Sequence, residues 1–339
     1  MHVHLSFDVD ENFKMNMATR DPVLTAYQAA QNAKITLMAG YTTVRDCGVY
    51  MYGEDSVPVN VGISKAIAEG LVPGPTVVPA GHFITSTGGH GDITGFAPGV
   101  RELDYRSGVA DGIDELKKAV RYQIKHGARV IKFMATGGVI SEEGGVPQTP
   151  QFSQEEINAI CNTAHSVGIK CAAHAEAKLG AHMAIAAGVD TLEHGFEIDD
   201  SDLDLMKEKN IVLVPTALTA SLTELYIPID DMPENITHKA DLEKNNAIKT
   251  LKKAIKRHIY IASGSDAGIA IHGTNAKELH YYVEYGMTPL EALQSATIKA
   301  ANALSSYELD GKKIGQLKPG YAADVIALKN NPLEQIDNL

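Results

Sequence analysis

Ile169-Lys170-Cys171-Ala172-Ala173-His174 is followed by a helical stretch that Gly188 closes, and then by Val189-Asp190-Thr191-Leu192-Glu193-His194. A second helical stretch ends at Asn210, and Ile211-Val212-Leu213-Val214-Pro215 comes next. Each run has the length of a strand, and the stretches between them are long enough for a helix that returns the chain to the same end of a sheet. Continuous apolar runs such as Ile211–Val214 suit strands buried on both faces, so this stretch reads as consecutive βα units of a parallel sheet.

The pattern extends in both directions. Further runs stand at Met1–Leu5, Tyr41–Asp46, Pro75–Ala80, Ala128–Phe133 and Ile259–Ser265, which makes eight in all. Helix ends are marked between them. Asp21-Pro22 reads as an N-cap with proline at the first helical position, closed by Gly40, and Asp111 opens a helix that Gly127 stops. Ser153 with Glu156 forms a capping box, and Gly168 ends that helix before Ile169. Eight strands with intervening helices predict an α/β fold, a (β/α)8 TIM barrel, over residues 1–305. Such a barrel needs about 250 residues. Residues 306–339 hold a turn, Gly315–Gly320, and a strand-like run, Ala323–Leu328, expected outside the barrel. Residues 81–111 and 216–237 are too long for plain βα connections and are expected to build the active-site face.

Composition narrows the partners. A formal net charge of −12 over 339 residues disfavours nucleic acid and anionic membranes. No apolar run approaches the roughly 20 residues of a membrane helix, and no signal peptide is visible. The three cysteines, Cys47, Cys161 and Cys171, form no C-x-x-C pair and suit a reducing compartment, so a cytoplasmic location is expected. Because the run Met1–Leu5 carries chemistry from residue 2, the sequence is expected to begin inside a longer chain.

The ionisable residues fall at telling places. His2 and His4 share one face of their strand by period-two alternation. Lys132 interrupts an apolar strand, His174 and His194 each end one, and Asp266 follows the last. Singly, each has a bland reading: a satisfied strand histidine, a lysine paired with a carboxylate, an aspartate in a turn. Together they occupy positions that a barrel gathers on one rim, which the bland readings do not explain. The glycine-rich segment 137–145 lacks the Lys-Ser/Thr ending of a phosphate loop and needs no phosphate.

With His2-Val3-His4, Val130-Ile131-Lys132, Ala173-His174-Ala175-Glu176, Leu192-Glu193-His194-Gly195 and Gly264-Ser265-Asp266-Ala267 in this order, the chain resembles the amidohydrolase superfamily nearly throughout. It looks most like the imidazolonepropionase-like and prolidase-like branch, which includes zinc-dependent arginine carboxypeptidases and Xaa-Pro, Xaa-Arg and Xaa-Lys dipeptidases. Gly88–Asp92, His272–Asn275 and Lys318–Asp324 match that branch too. The resemblance implies two divalent ions, expected to be zinc: His2, His4 and Asp266 on the buried one, His174 and His194 on the exposed one, and a carboxylated Lys132 bridging both. A carbamate supplies the anionic oxygens that an ammonium cannot, and imidazole with carboxylate suits zinc. It further implies that Asp266 moves the proton, that His90 bonds the oxyanion, and that His90 and His272 contact substrate. A small β-sandwich drawn from both chain ends belongs to the pattern, and only its C-terminal strands are expected here, the N-terminal half being missing.

The expected activity is hydrolysis of a peptide or other amide bond in a dipeptide or small molecule, near a C-terminal carboxylate, with a homo-oligomer open. Two other readings stand beside it. One is a non-peptide amidohydrolase acting on a cyclic amide or an N-acyl amino acid; the other is an inactive folded fragment offering an interaction surface.

Overall fold

The computed structural model describes residues 1–50, 58–100, 102–141, 149–232 and 234–339. It is an α/β fold built on parallel sheet. Strands β1 (Thr43–Asp46) and β2 (Thr76–Pro79) pair in parallel, and β3 (Val130–Met134), β4 (Lys170–Ala175), β5 (Thr191–His194) and β6 (Val212–Val214) form a four-stranded parallel sheet in chain order. The register runs Met134 opposite His174 and Ala175 opposite His194, so the C-terminal ends of β3, β4 and β5 arrive together.

Single parallel bridges join the remaining runs. Val3 pairs with both Asp46 and Ala267, Ile84 with Phe133, and Leu213 with Ile261. The expected first and last strands are thus single bridges rather than full ladders.

Alternation along the strands sorts the core. Ile131 and Phe133 of β3, Cys171 and Ala173 of β4 and Leu213 of β6 point to the helices, packing with Leu116, Val120, Ile157 and Ile160. Fully burying a side chain the size of Ile131 or Phe133 is worth roughly 1.5–3 kcal/mol, so this layer holds the helices to the sheet. Val130, Ala172, Val212 and Val214 point the other way into a second cluster with Val78, Ala80 and Ala262. Lys132 lies on this inner side by the same alternation.

The helix signals behave as expected. Asp21 accepts from the Val23 and Leu24 amides and caps helix Pro22–Met38, and Ser153 and Glu156 close a capping box on Gln154–His165. Gly188 and Asn210 end their helices in left-handed conformation. The cap of Ile113–Lys125 is Gly112 rather than Asp111. The long loops carry structure of their own, a short helix Ala217–Ala220 in one and a single turn Tyr105–Ser107 in the other, and helix Glu234–Lys256 begins inside the stretch read as loop.

One expectation fails in the C-terminal segment. The turn near Gly320 forms, with the Tyr321 amide bonded to the Lys318 carbonyl. No strand forms over Ala323–Leu328 among the described residues, and Val325, Ile326 and Leu328 are exposed. A strand needs a neighbouring ladder, and none of the described residues supplies one there. No helix among the described residues is long and apolar enough to cross a membrane.

Candidate active site

His2, His4, Lys132, His174, His194 and Asp266 all line one pocket at the C-terminal ends of the strands, together with His90. Six positions read from five separate runs of sequence therefore meet at a single place.

Each imidazole is held by one nitrogen and bare at the other. His2 Nδ1 lies 2.9 Å from Glu193 Oε2, and His4 Nδ1 lies 2.8 Å from the Gly48 carbonyl. These acceptors fix the proton on Nδ1 and leave Nε2 with its lone pair inward. On His174 the roles reverse, with Nε2 lying 3.2 Å from the Gly137 carbonyl, and His194 Nδ1 rests 2.7 Å from Thr216 Oγ1. Burial is the largest cause holding His2, His174 and His194 well below the usual imidazole range, so all three stay neutral, as ligands must.

The bare atoms converge. His2 Nε2 and His4 Nε2 are 3.3 Å apart, and Asp266 Oδ1 is 3.3 Å from each. That Asp266 oxygen is buried with no hydrogen-bond partner. Two facing lone pairs beside an orphaned carboxylate oxygen repel one another unless a cation lies among them, and the donor set suits a divalent ion of the zinc class. Ligand atoms of His2, His194 and Asp266 fall within 4.8 Å of one another, as do those of His174, Glu176 and His194, so the donors present fit two ions. Lys132 is 1% exposed beside them, and no described carboxylate pairs with it.

Backbone strain accompanies the site. His194 (φ 69°), Thr216 (φ 47°) and Asp266 (φ 52°) adopt left-handed conformations, which cost about 1–3 kcal/mol for residues other than glycine. The turn at His194 carries its ring to the side where Glu193 already points. Its centroid lies 5.0 Å from that of His2 and 4.6 Å from that of His174.

His90 stacks on His174 with centroids 4.4 Å apart, and its Nδ1 lies 2.6 Å from Ser141 Oγ. Burial, reinforced by Lys132 and His4, pushes its pKa down to about 3. A side chain on Gly138 would come within 2.4 Å of the His90 ring, so only glycine fits there. His272 is not brought to the pocket wall. Its Nε2 lies 3.2 Å from the His4 carbonyl, which makes it a brace behind the His2–His4 segment. The glycine-rich segment reaches the site through Gly137 and Gly138; residues 142–145 of it lie outside the described residues.

Sequence reasoning missed several supporting groups. Arg45, fully buried, donates from Nη2 to Glu193 Oε1 at 2.6 Å and to Thr191 Oγ1 at 3.0 Å, holding the carboxylate that orients His2. Arg45 and Glu193 each interrupt an apolar run as Lys132 does, and that signal was available. Glu176, which stands in the Ala173–Glu176 motif but carries no role there, and Glu243 also line the pocket, and neither interrupts an apolar run. The rest of the wall is largely apolar, with Phe7, Tyr50, Phe83, Ile140, Leu225 and Ile269 among its residues.

The model of the amidohydrolase family matches residues 1–339. An ochratoxinase of Aspergillus niger is 36% identical over 353 residues, covering 99% of this chain and 70% of the relative. Among solved structures, a Xaa-Pro dipeptidase with methionine bound in its active site superposes with a TM-score of 0.89 at 36% identity, covering 100% of this chain and 81% of that one. A prolidase complexed with N-methylphosphonate-L-proline gives 0.84 at 30% identity, covering 99% and 79%.

Proposed function

The chain belongs to the amidohydrolase family and is a hydrolase of amide bonds, and from that premise we propose that it is a binuclear dipeptidase or carboxypeptidase that releases a C-terminal amino acid. The observation that carries this reading is the convergence of bare nitrogens of His2 and His4 on the orphaned Asp266 oxygen, 3.3 Å from each. On this reading the bridges at Val3, Ile84, Leu213 and Ala267 close the sheets into a (β/α)8 barrel over residues 1–305, with 306–339 as an appendage outside it.

His2, His4 and Asp266 would hold one zinc ion, and His174 and His194 a second. Lys132 would bridge them as its carbamate, formed when the neutral amine adds carbon dioxide and loses a proton. When bound, the two ions would bring the pKa of a shared water down to about 7 and polarise the scissile carbonyl. Asp266 takes the proton of the attacking water and passes it to the leaving nitrogen, first base and then acid. With Ser141 Oγ donating to Nδ1, His90 keeps its proton on Nε2 and donates it to the developing oxyanion, the role that a neutral imidazole can fill. The apolar wall excludes water from the reacting carbonyl.

A second reading keeps the chemistry and changes the acyl group. Likeness to an ochratoxinase and the apolar wall favour a bulky, non-peptide acyl group on the amino acid. A panel of dipeptides, N-acyl amino acids and their C-terminal amides separates the two. Cleavage of free acids over amides supports release of a C-terminal amino acid, and equal cleavage of both overturns it.

A further inference from the structure

Glu278 stands in the first turn of helix Lys277–Glu284, fully buried and outside the pocket wall. Both of its carboxylate oxygens are spent on consecutive backbone amides of a distant element. The Ala217 amide donates to Oε1 at 2.8 Å and the Leu218 amide to Oε2 at 2.7 Å. Those amides open the short helix Ala217–Ala220, whose N-cap is Thr216. A threonine there ordinarily turns its hydroxyl back to accept from the amides of its own helix's first turn. Thr216 does not. Its backbone is left-handed, it makes no side-chain cap bond, and its Oγ1 lies 2.7 Å from His194 Nδ1 instead. A hydroxyl committed to the imidazole would leave the two buried amides without an acceptor, which is costly unless another group supplies one. Glu278 supplies one oxygen to each, from 61 positions further along the chain.

The segment that carries Glu278 is tied to the other side of the site as well. Asn275, fully buried, donates from Nδ2 to Ser265 Oγ at 2.8 Å, next to Asp266. His272 already lies against the His4 carbonyl. Residues 272–278 therefore run behind the site and touch the supports of His4, Asp266 and His194 in turn. We propose that Glu278 is a positioning residue: by capping helix Ala217–Ala220 from outside, it holds Thr216 in the turn that aims its hydroxyl at His194. That role rests on the reading of His194 as an ion ligand and adds the group that sets its ring. The same helix puts Thr219 and Ala220 in the pocket wall, so the cap also steadies the surface that substrate meets. Burial pushes the Glu278 carboxyl up to about 7, against the pull of the Leu218 and Ala217 amides, which favour the ionised form.

The test uses two variants of the full chain at pH 8. Glu278→Gln keeps the size but turns an NH2 group toward one of the two amides. Glu278→Asp keeps the charge but is one methylene short of bridging both, and it decides the matter if the glutamine variant folds poorly. The first readout is the tautomer of His194 in metal-free, histidine-labelled protein, from proton–nitrogen correlation spectra, with the signal assigned by its loss in His194→Asn. One tautomer, set by the Thr216 hydroxyl, is expected to dominate in the parent, and a mixture in both variants. The second readout is affinity for zinc, by competitive chelator titration with zinc chloride. It should fall about tenfold, the low end of the loss seen when an outer partner of a ligating histidine is removed. Because Glu278 acts through Thr216, adding Glu278→Gln to Thr216→Val should weaken zinc binding little beyond Thr216→Val alone. Two losses that simply multiply, as at independent sites, would make Glu278 a mere staple between helices and overturn the proposal. A parent tautomer ratio retained in both variants would overturn it too. A parent that binds no zinc would instead sink the ion-site reading, and the tautomer comparison would still decide on Glu278.

Discussion

Thr216 Oγ1 lies 2.7 Å from His194 Nδ1, and both residues have left-handed backbones, with φ of 47° and 69°. A β-branched residue is rarely found there, so two strained turns are spent to set one hydroxyl against one imidazole. Thr216→Val keeps the shape and removes the hydroxyl. On the proposed reading, affinity for the divalent ion that His174 and His194 would hold should fall about 10–100-fold, the usual cost of losing an outer partner of a ligating histidine. Thr216→Ser should restore it. Competitive chelator titration reads both, and unchanged zinc affinity in the valine variant would remove the hydroxyl from the account.

Asp266→Asn should retain substrate binding while kcat drops by about 10²–10⁴, since an amide can bond but cannot shuttle a proton. Substrate affinity is read from single-turnover kinetics and turnover from the steady state. A near-normal kcat would assign the proton transfer to another group.

Lys132→Ala should abolish turnover, and short carboxylic acids should restore part of it by supplying the missing oxygens. The parent protein, stripped of bicarbonate and carbon dioxide, should lose zinc and regain it when bicarbonate returns. Zinc retained at two ions per chain without bicarbonate would contradict the carbamate.

Gly264→Ala places a methyl group 2.8 Å from His2 Cβ and 2.9 Å from its backbone nitrogen. The backbone cannot yield cheaply, so a loss of about 1–3 kcal/mol is expected, together with displacement of His2. Urea unfolding measures the first and zinc affinity the second. An unaltered midpoint would show that the strand has room to shift.

Metal-free protein should weaken as the medium is acidified. His90 titrates at about 3 in the fold, below its ordinary 6.5, so above 6.5 neither state takes a proton and stability is whole. Between 6.5 and about 3 the unfolded chain binds a proton that the fold refuses, which costs roughly 1.4 kcal/mol per pH unit for this one group. His2, His174 and His194, lowered as well, steepen the slope. Unfolding at pH 7 and pH 5 should show the loss, and His90→Phe should flatten it. Identical slopes for the two proteins would exclude His90.

Much of this was legible from residue order. Strand runs and their stop signals placed β1 to β6 within two residues, because buried strands must be apolar and helices must end on residues that tolerate left-handed backbone. The six ligand-type residues were legible because ionisable groups inside apolar runs are costly. Alternation alone, however, puts Glu193 and His194 on opposite faces, and only the turn at His194 brings both to His2. The capping role of Gly112, the placement of His272 behind His4 and the reach of Glu278 to the Ala217 and Leu218 amides depend on tertiary neighbours far off in the chain. Ala323–Leu328 read as a strand because its composition allows one, but composition does not supply a ladder to join.

The pairing of His2 with Glu193 spans 191 positions, and the Asp266 oxygen that faces His2 comes later still. No local segment can therefore supply by itself the donor set of His2, His4 and Asp266. During synthesis the early histidines leave the ribosome long before their partners exist, and must wait unliganded until nearly the whole chain has emerged. Contacts of such long range form slowly, which makes metal capture a late event in maturation rather than a nucleus for it. A divalent ion held there should consequently alter the unfolding rate of this protein far more than its folding rate.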